Sequence, residues 1–254
     1  MANQIKPRST KPKKALRIIL LVLLAALVLC GGFAAVYIND YYHAEETALE
    51  AMAAGDGVEI SRWEDGTIVF GPQAPTAGLI FYPGGKVEYT AYAPLMRACT
   101  QRGILCVLVK MPCNLAILNA NAADGIAEQF PQIERWYIGG HSLGGAMVAS
   151  YAAKHSDAVE GLILLAAYST ADLTDTELAV LSVYGSEDGV LNREKYEEYR
   201  GNLPENAEES ILQGGCHAYF GSYGAQDGDG VPTITNEEQI RVTADIIAQW
   251  INKY

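Results

Sequence analysis

Five consecutive residues constrain this chain more than any others: Gly140-His141-Ser142-Leu143-Gly144. An apolar stretch, Trp136-Tyr137-Ile138-Gly139, runs into them and reads as a strand. A small-residue stretch, Gly145 to Ala153, runs out of them and reads as a helix. A G-x-S-x-G pattern between strand and helix forms a turn so sharp that the serine takes a strained backbone conformation, its hydroxyl clear of the sheet. Glycines flank it because a Cβ there would strike the neighbouring strand or helix. The hydroxyl also lies at a helix N-terminus, whose partial positive charge favours a developing anion.

The rest of the chain supplies matching elements. Val58 to Trp63 and Thr67 to Phe70 alternate around Glu64-Asp65-Gly66, which predicts a hairpin. Ala77 to Tyr82 is a strand that ends in Pro83-Gly84-Gly85, and a helix follows over about Tyr89 to Arg102. Ile104 to Val109 is a continuous apolar run, suited to a strand buried on both faces. Asn114 to Phe130 reads as mostly helical. Strands follow at Gly161 to Ala166, Ala179 to Tyr184 and Glu209 to Leu212, with a helix at Arg193 to Arg200. The last helix begins at Asn236, a capping residue with Gln239 three positions on, and runs to about Asn252. Strands alternating with helices predict an α/β fold, a mostly parallel sheet with helices on both faces.

A serine hydroxyl is a poor nucleophile until a base takes its proton. His43 falls in the segment before the hairpin, His141 is fixed beside the serine, and His155 ends a helix. His217 remains, in Gly214-Gly215-Cys216-His217-Ala218, after the last strand and before the last helix. A carboxylate must hold the tautomer of that base, and Asp188, directly after a strand and 29 residues before His217, stands in the right chain order. Glu187 and Asp172 are its rivals. The oxyanion hole should combine the N–H of Leu143 with one from Pro83-Gly84-Gly85-Lys86; Gly84, Gly85 and Lys86 all qualify, and Gly85 is preferred. Tyr82, just before that loop, Gly84, within it, and Tyr219, in the long glycine-rich segment Gly214 to Thr235, are the candidate substrate-binding residues. Asp227-Gly228-Asp229-Gly230 in the same segment hints at calcium but lacks the ligand spacing, so it reads as an acidic turn. There is no C-x-x-C pair, so zinc finds no support.

The N-terminus has a different character. Lys6, Arg8, Lys11, Lys13, Lys14 and Arg17 precede a charge-free run of 21 residues, Ile18 to Ile38. As a helix that run spans about 30 Å, a bilayer core. The segments expected are a cytoplasmic basic stretch 1–17, a transmembrane anchor 18–38, a polar helical stem 39–56 and a catalytic domain 57–254 outside the cytoplasm. A cleaved signal, with a small-residue site at Gly32-Phe33-Ala34, and a lipoprotein signal at Cys30 compete with the anchor. The first needs a shorter apolar run, the second a smaller residue than Leu29 before the cysteine. Beyond residue 38 the chain carries 12 Lys+Arg against 30 Asp+Glu, about −18, which argues against nucleic-acid partners and against electrostatic attraction to anionic lipid. Of five cysteines, Cys99 and Cys106 should be buried thiols. Cys113 and Cys216 lie on loops that converge on the serine, so the expectation is a disulfide between them or two free thiols.

Over residues 57–254 the chain resembles the α/β-hydrolase superfamily, on the elbow Gly140 to Gly145, the acid in Gly185-Ser186-Glu187-Asp188 and the histidine in Gly215-Cys216-His217-Ala218. With Leu79 to Gly85 (LIFYPGG), it is most similar to the compact, lidless bacterial hydrolases related to dienelactone hydrolase. About 11 residues join the strands near Ala167 and Ala179, too few for the helical cap of many relatives, which puts selection of long buried acyl chains in doubt. The resemblance implies a serine hydrolase acting on a small-molecule or lipid-like ester, without cofactor. Acyl transfer by the same triad and a non-catalytic surface binding protein are the alternatives.

Overall fold

The computed structural model describes residues 12–254 and divides into one unit ending at Asp40 and a second, Tyr41–Tyr254. The first unit is a single long helix, α1 (Pro12–Asn39). Within it Leu16–Asn39 has a mean hydropathy of 2.9 and exposed side chains throughout, so by length and composition it could cross a membrane. Residues 1–11 of the expected basic segment lie outside the described residues.

The second unit begins earlier than the sequence suggests. Residues 41–56 are no free stem but a strap laid on the domain. Tyr42 donates its N–H to the Lys86 carbonyl at 2.8 Å and accepts from the Glu88 N–H at 2.8 Å, a parallel bridge beside Val87. Glu45 N–H reaches the Ser222 carbonyl at 2.9 Å. The short helix α2 (Glu46–Glu50) buries Ala48 completely, and Arg97 donates to the Ala53 and Gly55 carbonyls at 2.6 and 2.9 Å. A polar composition concealed these contacts, which are made mainly by backbone groups.

Among the described residues one sheet of eight strands forms the core. In chain order these are β1 (Val58–Arg62), β2 (Ile68–Pro72), β3 (Ala77–Tyr82), β4 (Ile104–Leu108), β5 (Trp136–His141), β6 (Gly161–Leu165), β7 (Ala179–Gly185) and β8 (Glu208–Leu212). Their spatial order is β1-β2-β4-β3-β5-β6-β7-β8. The β1–β2 hairpin joins antiparallel to β4, and β4 through β8 are parallel. The helices α3 (Ala93–Thr100), α4 (Leu143–Ala152), α5 (Arg193–Tyr199) and α6 (Asn236–Ile251) complete the domain. Leu79, Phe81, Tyr92, Leu95 and Ile247 fill one side of the sheet, under α3 and α6; Ile80, Tyr82, Ile138 and Val148 fill the other, under α4. Each such side chain contributes roughly 1.5–3 kcal/mol on burial. All six residues of β3 are buried, as in a parallel strand covered on both faces. The chain leaves β3 toward β4 on one side and returns in β5 on the other. The carboxyl ends of β3 and β5 therefore flank the topological switch point where open α/β sheets build their sites.

Residues 114–130 differ from the helix expected. They form separate 3₁₀ turns at Ala116–Asn119 and Ala127–Gln129, after one at Pro112–Asn114. Positive φ at Cys113 (53°), Asn114 (55°) and Gly125 (73°) breaks any continuous helix. The last helix also starts differently, because Thr235 is its cap, its hydroxyl accepting the Glu238 N–H at 3.1 Å. No helix occupies residues 166–178, in line with a lidless fold.

Candidate active site

Ser142 sits between β5 and α4 with φ 52° and ψ −120°, a region that costs a non-glycine residue on the order of 1–3 kcal/mol. Its N–H is held by the Leu165 carbonyl of β6 at 2.9 Å. The turn closes tightly: a Cβ on Gly140 would lie 2.6 Å from the Gly144 carbonyl carbon, and one on Gly144 would strike the backbone of Tyr82 and Pro83. The start of α4 is thus pressed against the end of β3. Leu143 is the first residue of α4, so its N–H has no intrahelical partner.

His217 follows β8 and opens a 3₁₀ turn, Ala218–Phe220. Its Nδ1 lies 2.9 Å from Asp188 Oδ2, and both side chains are buried. An ionised carboxylate only accepts, so Nδ1 donates the hydrogen bond. The other oxygen of Asp188 accepts the N–H groups of Val190 at 2.9 Å and Leu191 at 2.7 Å, which fixes the carboxylate. His217 Nε2 is buried without a hydrogen-bond partner, and His217 lines, with Ser142, a cavity of about 410 Å³. Leu143, Ala146, Met147, Ala167, Val190 and Leu191 give that cavity apolar walls.

The rival acids are elsewhere. Asp172 is exposed and bonded to Thr174 at 2.6 and 3.0 Å, contacts that hold its carboxyl below the ordinary range. Glu187 is exposed beside Ser186. His43 is exposed near Glu88, and His155 Nδ1 sits 3.0 Å from its own helix at Tyr151 O. His141 is buried, its ring centroid 4.5 Å from that of His217. Burial, and then the nearby His217, push the His141 imidazole well below its usual range, so it is neutral.

The loop after β3 offers three N–H groups, and two are engaged. Gly84 donates to the Tyr92 hydroxyl at 3.0 Å and Lys86 to the Asn114 carbonyl at 2.8 Å. Gly85 N–H has no such partner among the described residues. Gly85 also packs on Leu143, for a Cβ there would lie 2.8 Å from Leu143 Cδ2. Gly85 and Leu143 are therefore neighbouring candidate donors.

The three expected substrate-binding residues do not line the cavity. Gly84 has its N–H committed to Tyr92. Tyr82 points into the α4 side of the core, fully buried, its hydroxyl donating to the Ala120 carbonyl at 3.1 Å and accepting the Ala123 N–H at 2.7 Å. Tyr219 packs against the α6 side of the core. Beyond Ser142, Leu143 and His217, the residues that do line it, on α4, after β6 and after Asp188, carry no recognisable sequence pattern. Nor are Cys113 and Cys216 bridged. Cys113 is exposed, whereas Cys216 packs in the core, where burial pushes its thiol up to about 12. Among the described residues no cluster of ligands for a metal ion occurs.

Several residues that hold the His217 loop were not foreseen. Gln239 brackets Cys216, accepting its N–H at 3.0 Å and donating to its carbonyl at 2.8 Å. Asn236 donates to the Tyr219 and Gly221 carbonyls at 3.2 and 2.7 Å instead of capping its helix. Asp229 accepts backbone N–H groups from both the His217 and Asp188 loops.

Known proteins share this fold. No curated sequence matches significantly. Among solved structures, a dienelactone hydrolase from Anabaena variabilis superposes with a TM-score of 0.60 at 13% identity, covering 78% of this chain and 99% of its own. An esterase from Mycobacterium tuberculosis gives 0.59 at 14%, covering 82% and 95%. A predicted CIB-like hydrolase from Thermoplasma acidophilum gives 0.53 at 17%, covering 76% and 100%. Identities this low speak for the fold alone. The sequence model of the alpha/beta hydrolase family, however, matches residues 78–241, from β3 into α6 and across the elbow, acid and histidine. With the eight-stranded sheet and the strained serine between β5 and α4, that match makes this chain a member of the α/β-hydrolase family.

Proposed function

We propose that the chain is a serine hydrolase that cleaves an uncharged ester through an acyl-enzyme on Ser142. The observation that carries this reading is the buried His217–Asp188 pair, whose histidine lines the same cavity as the strained Ser142 and leaves Nε2 without a partner. In the first half-reaction Ser142 Oγ attacks the ester carbonyl carbon as its proton passes to His217 Nε2. The carbonyl oxygen becomes an oxyanion facing the N–H groups of Leu143 and Gly85. Asp188 stabilises the imidazolium without taking its proton. Collapse of the intermediate breaks the bond to the alcohol, which leaves with the proton from Nε2. Water then repeats the sequence on the acyl-enzyme and restores the serine.

The cavity argues for a neutral substrate. Its walls carry no aspartate, glutamate, lysine or arginine, and its volume of about 410 Å³ sits toward the small end of the roughly 300–1,000 Å³ usual for ligand sites. An anionic acyl group would lose its hydration there and gain no cation.

The same reading makes α1 a retained membrane anchor, with the hydrolase unit outside the cytoplasm. Its support is the charge-free run Ile18 to Ile38 within the apolar helix and the positive residues that precede that run. Mass spectrometry of the membrane fraction tests the anchor: the N-terminal peptide remains attached, and a mature N-terminus near Tyr37 would contradict it. Loss of ester turnover in Ser142→Ala tests the chemistry.

A further inference from the structure

Asp229 lies in the acidic turn of the glycine-rich segment, outside the triad. Its carboxylate gathers backbone donors from three stretches of chain. Oδ1 accepts the N–H of Gly189 at 3.1 Å, of His217 at 3.1 Å and of Gly230 at 2.9 Å; Oδ2 accepts that of Ala218 at 2.8 Å. Gly189 is the residue after Asp188, and His217 is the candidate base itself. One side chain thus joins the acid loop to the histidine loop. The packing is as close as the bonding: a Cβ on Gly189 would come 2.5 Å from the Gly228 carbonyl oxygen, and one on Gly230 would strike that of Glu187. The turn is pressed onto the acid loop with no room for side chains. Burial alone would raise the Asp229 carboxyl, but the N–H groups of Ala218, Gly189 and His217 outweigh it and hold the acid ionised. Hydrogen bonds to an ionised acceptor are roughly twice as strong as neutral ones, and a carboxylate has lone pairs enough for all four donors.

We propose that Asp229 is a positioning residue, which sets the distance between His217 and Asp188 by clamping their two loops through the backbone. The inference rests on the proposed triad. Gln239 fixes the chain at Cys216, just before His217, and Asp229 fixes it at His217 and Ala218. Without Asp229 the histidine is held on one side only, and it would drift against the carboxylate that orients it. A displacement of about 1 Å at a reacting group costs on the order of 10²-fold in rate.

The test compares Asp229→Ala and Asp229→Asn with wild type in the full-length protein. Rates are expressed per site titrated with a fluorophosphonate, so that loss of folded protein does not count. Asp229→Ala is expected to lower kcat about 10²-fold with KM changed little, because only the orientation of the base is disturbed. Asp229→Asn keeps the oxygen that takes three of the four N–H groups and should recover at least about tenfold of that loss. Proton NMR reads the geometry without turnover. The downfield His217 Nδ1–H resonance, assigned by its disappearance in Asp188→Asn, should broaden in Asp229→Ala and return in Asp229→Asn. A wild-type kcat and an unchanged resonance in Asp229→Ala would overturn the proposal, as would a rise in KM alone or an Asn variant no better than the Ala variant. Failure of wild type to react with the fluorophosphonate would instead overturn the hydrolase reading, with the resonance still testing the clamp.

Discussion

The hydroxyl of Tyr92 lies 2.7 Å from Nδ1 of His141 while it accepts the N–H of Gly84 at 3.0 Å. The hydroxyl therefore hydrogen-bonds both groups at once. One phenol thereby ties the loop after β3 to the residue before the candidate nucleophile. It also occupies the Gly84 N–H and leaves that of Gly85 as the donor beside Leu143.

Tyr92→Phe removes this link and leaves the Gly84 N–H buried without a partner, at a cost of about 1–3 kcal/mol. Urea unfolding should register that loss. Ester turnover should fall by more than the loss of folded protein explains, since the oxyanion donors depend on the same loop. Unchanged stability and turnover would mean that Gly84 finds another acceptor.

His141 gives the domain a specific pH dependence. Its folded-state pKa is depressed, by burial first and by His217 second, below an unfolded value of about 6.5. Its neutral form thus contributes stability that is fully present above that value and is lost as pH falls toward the folded one. Below about pH 6.5 this group alone should weaken the fold by up to about 1.4 kcal/mol per pH unit. Denaturant titrations of wild type and His141→Asn at several pH values measure it as a gap between the variants that shrinks on acidification. A constant gap would show that folding leaves the His141 pKa where it is in the unfolded chain.

Asp188→Asn should lower turnover on the order of 10⁴-fold, since the amide no longer fixes the His217 tautomer. Asp172→Asn and Glu187→Gln, which alter exposed side chains bonded to Thr174 and Ser186, should stay near wild type. Greater sensitivity at Asp172 would reassign the acid.

The cysteines separate by access. In native protein Cys113, exposed on its loop, should react quickly with an alkylating agent, while buried Cys99, Cys106 and Cys216 react only on unfolding. Four thiols should titrate in denatured, unreduced protein beyond residue 38. Two thiols would restore a bridge that the structure does not contain.

The candidate triad is legible in the sequence because its signals are local. A glycine-flanked serine between an apolar strand and a small-residue helix, an acid one turn past a strand, and a histidine among glycines each announce themselves within about ten residues. What was missed depends on distant contacts. Tyr82 ends a strand buried on both faces, so no alternation revealed that its ring points into the core under α4. Asn236 and Gln239 read as a capping box because both types cap helices, yet their partners, Tyr219, Gly221 and Cys216, lie 15 to 23 residues away. Asp229 looked like an ordinary acidic turn for the same reason. The strap at residues 41–56 was hidden because main-chain groups make most of its bonds, which composition does not encode.

The central claim is that Ser142 is the activated nucleophile of a serine hydrolase. Its most direct test is labelling of the full-length protein with a fluorophosphonate probe, followed by peptide mapping, in wild type and in Ser142→Ala. The account predicts one phosphonyl group per wild-type chain, on the peptide that contains Ser142, and none on the variant. Equal labelling of Ser142→Ala, or an unlabelled wild type, would contradict it.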